Sequence, residues 1–423
     1  VAASGLIFQP LIPAVLVTNS NGSLGSLHAE GCSGNGMQLS CLFVHDSVRA
    51  TYKGTLKMLD ATTLAPIWGS ASAKKSYDLD PDTAALGQVP VNFADGSLAA
   101  GDAQFLVHYN PNGVALAKVP VGGTGNDFGL TPVSATYGIV SQGDGTLTLI
   151  NLSTWKNAGT LTLLDPRTNA RMNLVGPSSG GSDVLYAIGY DAHDDDGTLF
   201  AVAVDESTGT MAVRSTFNFT GQSGAAPVVV TSAQSGLPNT LVLLHAPGLI
   251  GEAHAQNHLL GLSDAGTPGL TQSWAIPLNA PLTVSPTIDQ NSGSLFYENG
   301  PYLYQSALVS GDAIQTFDLE TIGGFNRSFH LTGHIAGSQT GSVFTLLLIG
   351  TFPTSKNAGV QYAMAFQPIA SPNALVWSSQ IANVNTGYSA AWNFAPSTEP
   401  GVVCPIAITV DSLKSTIIRL CDH

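Results

Sequence analysis

Basic residues are scarce. The 423-residue chain carries 14 Lys and Arg against 28 Asp and Glu, a formal net charge of −14, with no basic run. Phosphate contacts need a positive face, so nucleic acid is excluded as a partner, and an anionic membrane surface is disfavoured for the same reason. Long apolar runs are missing too. The longest, near Val343 to Phe352, reaches about half of the ~20 residues that a membrane span needs. No charged n-region and apolar h-region follow Val1, so any secretory signal is expected to have been removed. The four cysteines form no CxxC pair and no CxxCH, which leaves no haem attachment. There is no Gly-x-Ser-x-Gly elbow, Walker loop or dinucleotide fingerprint. No strong amphipathic helix can be read anywhere.

What is abundant is turn chemistry. Gly (46) and Pro (24) are spread along a chain that is 44% hydrophobic. That pattern suits many short strands joined by tight turns and excludes disorder. Internal repeats supply the phase. The stretch Asp60-x-x-Thr63-x-x-x-x-Trp68 reads as strand end, turn and second strand, and Asp165 to Asn173 and Asp205 to Val213 repeat its spacing. Looser copies end at Ala117, Trp274, Gln315 and Trp377, so the closing positions lie about 51 residues apart on average, the period of a four-stranded propeller blade. A second marker, Pro before β-branched residues at Pro90, Pro132, Pro227 and Pro286, opens the next unit, since Pro is tolerated at the first residue of a strand. Alternating runs such as Thr146 to Ile150 and Leu199 to Val204 lie between the markers. In the repeat, Asp and Thr bond turn backbone, Gly or Asn supplies positive φ, and the Trp is a filler between units.

Seven closures run from Trp68 to Trp377, and the tail, about 390–423, offers three further strands. The orphan strand Pro13–Val17 lies one period before Trp68. The economical reading is all-β: a single eight-bladed β-propeller over 1–423 whose last blade is completed by Pro13–Val17, which removes exposed sheet edges, with seven blades as the alternative. Four cysteines allow three connectivities. Local pairing, Cys32 with Cys41 and Cys404 with Cys421, is the simplest, and it points to an oxidising, secreted or periplasmic compartment.

Asp60 to Trp68 and Asp205 to Val213 resemble the PQQ-like (quinoprotein alcohol dehydrogenase-like) propeller repeat, Ala-x-Asp-x-x-Thr-Gly-x-x-x-Trp, in degenerate form. The resemblance implies an eight-bladed propeller and does not imply the cofactor. Members that bind the quinone place it on a vicinal Cys-Cys ring, and no two cysteines are adjacent here. PQQ is therefore not expected.

Candidate site residues fall in the loops that this phase assigns to one face. Asp78, Asp80 and Asp82 alternate like the start of a Ca2+ loop, but Thr83 and Val89 stand where an EF-hand needs Gly and Glu. The second group is Asp191, His193, Asp194, Asp195 and Asp196 before Gly197: a tight turn, or oxygen ligands for Ca2+ or another metal. The third is Glu252, His254 and His258, with His245 upstream. In an extended chain Glu252, His254 and His258 share parity and form a candidate acid–base or metal cluster; as an exposed loop they form none. The leading reading is a binding or protein-assembly module taking a protein, small-molecule or glycan ligand on the loop face or in the central channel. The alternative is a propeller enzyme (lyase, hydrolase or oxidoreductase) using His254, His258 and Glu252.

Overall fold

The computed structural model describes most of residues 90–384, apart from short stretches such as 192–195 and 249–255. It also describes 53–61, 65, 67–68 and strand segments nearer the two ends. Alternation and turn residues fold the chain into antiparallel meanders. Six consecutive sheets each take four strands in chain order. The first comprises Ser26–Gly34, Gln38–Asp46, Lys53–Asp60 and Tyr77–Asp78; the second, Val91–Asn92, Leu98–Asp102, Phe105–Tyr109 and Ala115–Pro120. The third comprises Asp127–Pro132, Tyr137–Gln142, Thr146–Asn151 and Lys156–Thr162; the fourth, Met172–Ser179, Val184–Asp191, Asp196–Asp205 and Thr210–Thr220. The fifth comprises Val228–Val230, Thr240–Ala246, Asn257–Asp264 and Leu270–Leu278; the sixth, Thr287–Asp289, Ser294–Asn299, Tyr302–Ala307 and Ala313–Asp318.

A seventh sheet is built on Val343–Ser355, Ala358–Phe366 and Leu375–Val384, with Leu6–Ile7 parallel along its outer strand. In the last sheet, Ala390–Pro396, Val403–Val410 and Ser415–Arg419 are joined by Val15–Val17, which pairs antiparallel with Ser415–Arg419.

In such a meander, the turns between second and third strands and the connections between sheets lie at one end, here the connection end. The remaining hairpin turns lie at the other. The apolar clusters among the described residues sit between sequence-adjacent sheets. Leu56, Met58, Leu98 and Val107 join the first to the second; Leu106, Val119, Val140 and Ile150 join the second to the third. Leu147, Leu149, Leu185 and Val202 join the third to the fourth; Ile188, Leu199, Leu244 and Leu260 join the fourth to the fifth. Successive strand residues point to opposite faces, so both faces of a sheet are apolar and each is covered by a neighbour. Full burial of each such side chain contributes about 1.5–3 kcal/mol, so these seams carry the stability.

The outer strand repeats one irregularity. Six outer strands slip by one residue against their partner, skipping Leu116, Ala158, Arg214, Ser273, Ile314 and Val376. A bulge turns an exposed edge away from further pairing. It also corrects the repeat. The position after the bulge is Ala117, Gly159, Ser215, Trp274, Gln315 and Trp377, so Ser215, not the 40% exposed Val213, matches the closing Trp. The Asp165 copy is displaced as well. Asp165 lies after the outer strand Lys156–Thr162, in the connection between the third and fourth sheets. The closing turn of the third sheet starts instead at Asn151, whose Oδ1 accepts from Ser153 N at 3.0 Å, Thr154 N at 2.9 Å and Thr154 Oγ1 at 3.1 Å. Asp165 makes the same local turn, which is why its spacing matches. Pro90, Pro227 and Pro286 immediately precede first strands as expected, whereas Pro132 ends one.

Candidate interaction face

The connection end between the third and fourth sheets carries a network of ion pairs and side-chain hydrogen bonds. Residues 163–174 are laid across the turn 142–146 by Leu163 N to Gly145 O (2.9 Å) and Leu174 N to Gly143 O (3.0 Å). Gly145 has φ +82, and a Cβ there would strike the Met172 carbonyl, so close approach of the two loops requires glycine. The buried Asp165 carboxylate accepts from Arg167 N at 2.6 Å and Thr168 N at 3.2 Å. The Arg167 guanidinium also grips it in a fork, Nε to Oδ1 at 3.2 Å and Nη2 to Oδ2 at 2.7 Å. That charge-assisted fork holds the Asp165 carboxyl below the usual carboxylate range. Arg167 Nη1 continues to Asp196 Oδ2, and two carboxylates raise its own pKa above the ordinary value. Arg171 ties the neighbouring turn, reaching Asp144 at 3.4 Å and Thr146 Oγ1 at 3.1 Å.

Several expected ligand residues therefore have identified partners. Asp191, at the end of a second strand and buried, accepts from Thr168 Oγ1 at 2.9 Å. It thus fastens the connection that enters its own sheet. Asn299 does the same in the sixth sheet, accepting from Asn279 N at 2.6 Å. Asp196 is engaged by Arg167. Asp78 ends the short strand Tyr77–Asp78. Asp80, Asp82, His193, Asp194, Glu252 and His254 lie outside the described residues. Among the described residues, no three His, Cys, Asp or Glu side chains converge to hold a metal ion.

The structure does not bring His258 and His245 together. His258 pairs with Ala246, on the side of the fifth sheet where Leu244, Leu260 and Leu262 pack against the fourth. His245 pairs with Leu259, on the side where Leu241, Leu243 and Leu259 meet Leu295 and Tyr297 of the sixth. Both imidazoles are buried. Burial pushes the His245 ring below its ordinary pKa, partly offset by the nearby Asn257 amide. Sequence reasoning missed Arg167. Its link to Asp165 is only two residues long, but its link to Asp196 spans 29 and depends on how the sheets stack.

At the hairpin end the seams are closed by different wedges. The Trp68 indole donates to Pro111 O at 3.0 Å and Trp274 to Leu308 O at 3.1 Å, each reaching the third-to-fourth turn of the next sheet. Where Gly159 replaces the Trp, the Tyr137 hydroxyl lies over Gly209. Between the fourth and fifth sheets, buried Asp264 takes Tyr186 OH at 2.5 Å, the Arg214 guanidinium and Gly266 N at 2.9 Å. The sequence-derived packing role for the repeat Trp, between units, is what Trp68 and Trp274 display.

No protein-family model matches the chain, and no curated protein matches it in sequence. Solved structures do resemble it in fold. Sqt1 of Saccharomyces cerevisiae is similar with a TM-score of 0.51 at 10% identity, over 80% of this chain and 96% of that one. The Pan2 WD40 domain of Neurospora crassa gives 0.48 at 10% identity, over 98% and 96%. The chain is an all-β protein of β-propeller architecture. These comparisons lend no support to the PQQ-like assignment. No helix among the described residues is long and apolar enough to cross a membrane.

Proposed function

We propose that this propeller is a binding or assembly module whose partner is a protein docking on the connection end. The observation that carries this reading is the commitment of polar side chains there. Asp165, Asp191, Asp196 and Asn299 hold loops in place, and His258 faces the opposite side of its sheet from His245. A rigid scaffold that fixes its loops presents a preorganised surface, which lowers the ordering cost of binding.

The scaffold itself we read as a closed ring of eight sheets. Support comes from the last sheet: Val15–Val17 joins it from the opposite end of the chain, and its strands lie against Ser26–Gly34 of the first sheet. A secreted or periplasmic setting fits the cross-strand register that puts Cys32 opposite Cys41, a spacing suited to a disulfide. We keep Ca2+ at Asp78, Asp80 and Asp82 as a proposal that rests on their alternation in the sequence alone.

Crosslinking mass spectrometry on an extract of the source organism, with the full chain as bait, tests the reading. We expect crosslinks from one protein partner to converge on 142–146, 165–171 and 191–196, and to disappear when Asp144 and Asp196 are changed to Lys. Crosslinks confined to the hairpin end, or a purified protein with stoichiometric zinc and hydrolytic turnover, would overturn it.

A further inference from the structure

We propose that the seam between the second and third sheets is an acid-sensitive latch, in which the neutral His108 imidazole holds the Trp155 turn closed and its protonation releases it. His108 lies in Phe105–Tyr109, 8% exposed, on the face that meets the third sheet. Its ring stacks flat on Trp155, centroids 3.8 Å apart at 10°, and Phe93 meets both rings edge-on. Trp155 belongs to the closing turn of the third sheet and holds φ +50, a left-handed backbone that bulky residues avoid. A conformation of that kind persists only where its surroundings over-determine it, and the stack on His108 is such a constraint.

Protonation finds little to receive it. Among the described residues neither ring nitrogen of His108 has a hydrogen-bond partner, so an imidazolium would bury two unsatisfied charged donors. Among the described side chains, the charged groups on the elements packed around the ring are Asp95, Lys118 and Lys156; Asp102, at the end of the paired strand Leu98–Asp102, has the parity of Leu98 and Ala100, which pack against the first sheet, the side away from His108. Asp95 attracts the cation, but its carboxylate is held by Ser97 N at 2.9 Å and Ser97 Oγ at 2.6 Å. Lys118 sits over the Phe105 ring at 4.2 Å and Lys156 is exposed; both are cations and give no compensation. Burial accordingly sets the imidazole below its ordinary pKa. A depressed histidine leaves the closed seam at full stability above about 6.5, weakens it as pH falls through the window down to the folded value, and adds nothing further below.

Hydrogen exchange on the full chain between pH 7.5 and 5 tests this, comparing wild type with His108→Phe, which keeps an aromatic stack without a titratable proton. The ratio of wild-type to variant exchange in 91–97 and 151–157 should rise as pH falls, about tenfold in total for each unit by which the folded pKa lies below the ordinary one. An equal ratio at every pH overturns the proposal. A second measurement does not need that variant to fold: the histidine proton resonance missing from His108→Gln should titrate below about 6.5 in wild type, and titration at or above that value overturns the proposal.

Discussion

The Trp274 indole Nε1 donates to the Leu308 carbonyl at 3.1 Å, 34 residues further along the chain. That bond runs from the outer strand of one sheet to the closing turn of the next, and Trp68 to Pro111 O reproduces it. The glycines on either side are cut to the same shape. A Cβ on Gly261 would overlap the Trp274 indole, and one on Gly311 would press on its six-membered ring. The Gly in the turn and the Trp after the bulge thus belong to two different repeats and make one joint.

Removing the ring should open that joint. Trp274→Ala is expected to cost about 3–5 kcal/mol, since it deletes a buried aromatic side chain and leaves a cavity. Trp274→Phe should cost less, with the lost hydrogen bond accounting for about 1 kcal/mol. Gly261→Ala alone should be destabilising by overpacking, about 1–3 kcal/mol. In the Trp274→Ala background the same change should cost far less, because the ring it strikes is gone. Chemical denaturation of the four proteins measures that coupling.

How much of this was legible in the chain follows from which contacts are local. The turn chemistry of Asp205 and Asn110 is written within four residues, and it marks strand ends correctly. The same chemistry misled at Asp165, because an Asp-led turn looks alike whether it closes a sheet or connects two. The fourth copy closes at Ser215 and not at Val213, because Ser215 takes the place after the bulge and a bulge leaves no mark in the side-chain pattern of a short exposed strand. The surroundings of the described acids and histidines were hidden for a third reason. Sequence proximity said nothing of Thr168 beside Asp191, or of the opposite faces taken by His245 and His258, which are set by sheet stacking and register.

The Asp264 carboxylate joins the fourth and fifth sheets with an arginine on one side and a phenol on the other. Arg214→Met should be the severest single change there, about 3–5 kcal/mol, because it leaves a buried carboxylate without its counter-charge. Tyr186→Phe should cost about 1.5–3 kcal/mol, the range for a hydrogen bond to a charged group. Urea denaturation at neutral pH separates the two.

Burial, with the Asp264 carboxylate adding to it, raises the Tyr186 pKa above its ordinary value. The sign is that of an acid held in its neutral form. The contribution to stability is complete below about 10 and is lost as pH rises above that value. Burial raises the Tyr297 pKa in the same direction, so ultraviolet titration should show a late-ionising tyrosine fraction at the pH where the fold gives way. Tyr186→Phe should reduce that late fraction while leaving the ordinary tyrosines in place.

The register sets Cys32 directly opposite Cys41 in the first sheet. If the chain folds in an oxidising compartment, the two should be joined, and the non-reduced protein should yield a peptide linking them that is lost on reduction. The loop so closed is short, and a crosslink of that length stabilises by about 2–3 kcal/mol on the chain-entropy account. Reduction should therefore lower the melting temperature without abolishing the fold, since the six described inter-sheet clusters lie elsewhere in the molecule or involve, in this region, Leu56, Met58, Ile67 and Trp68 and not the cysteines. Cys32→Ser and Cys41→Ser should each lower the melting temperature of the oxidised protein by the same amount and be insensitive to reductant at that site. Two free thiols at these positions in protein isolated from its source would place the chain in a reducing compartment and remove the oxidising assignment.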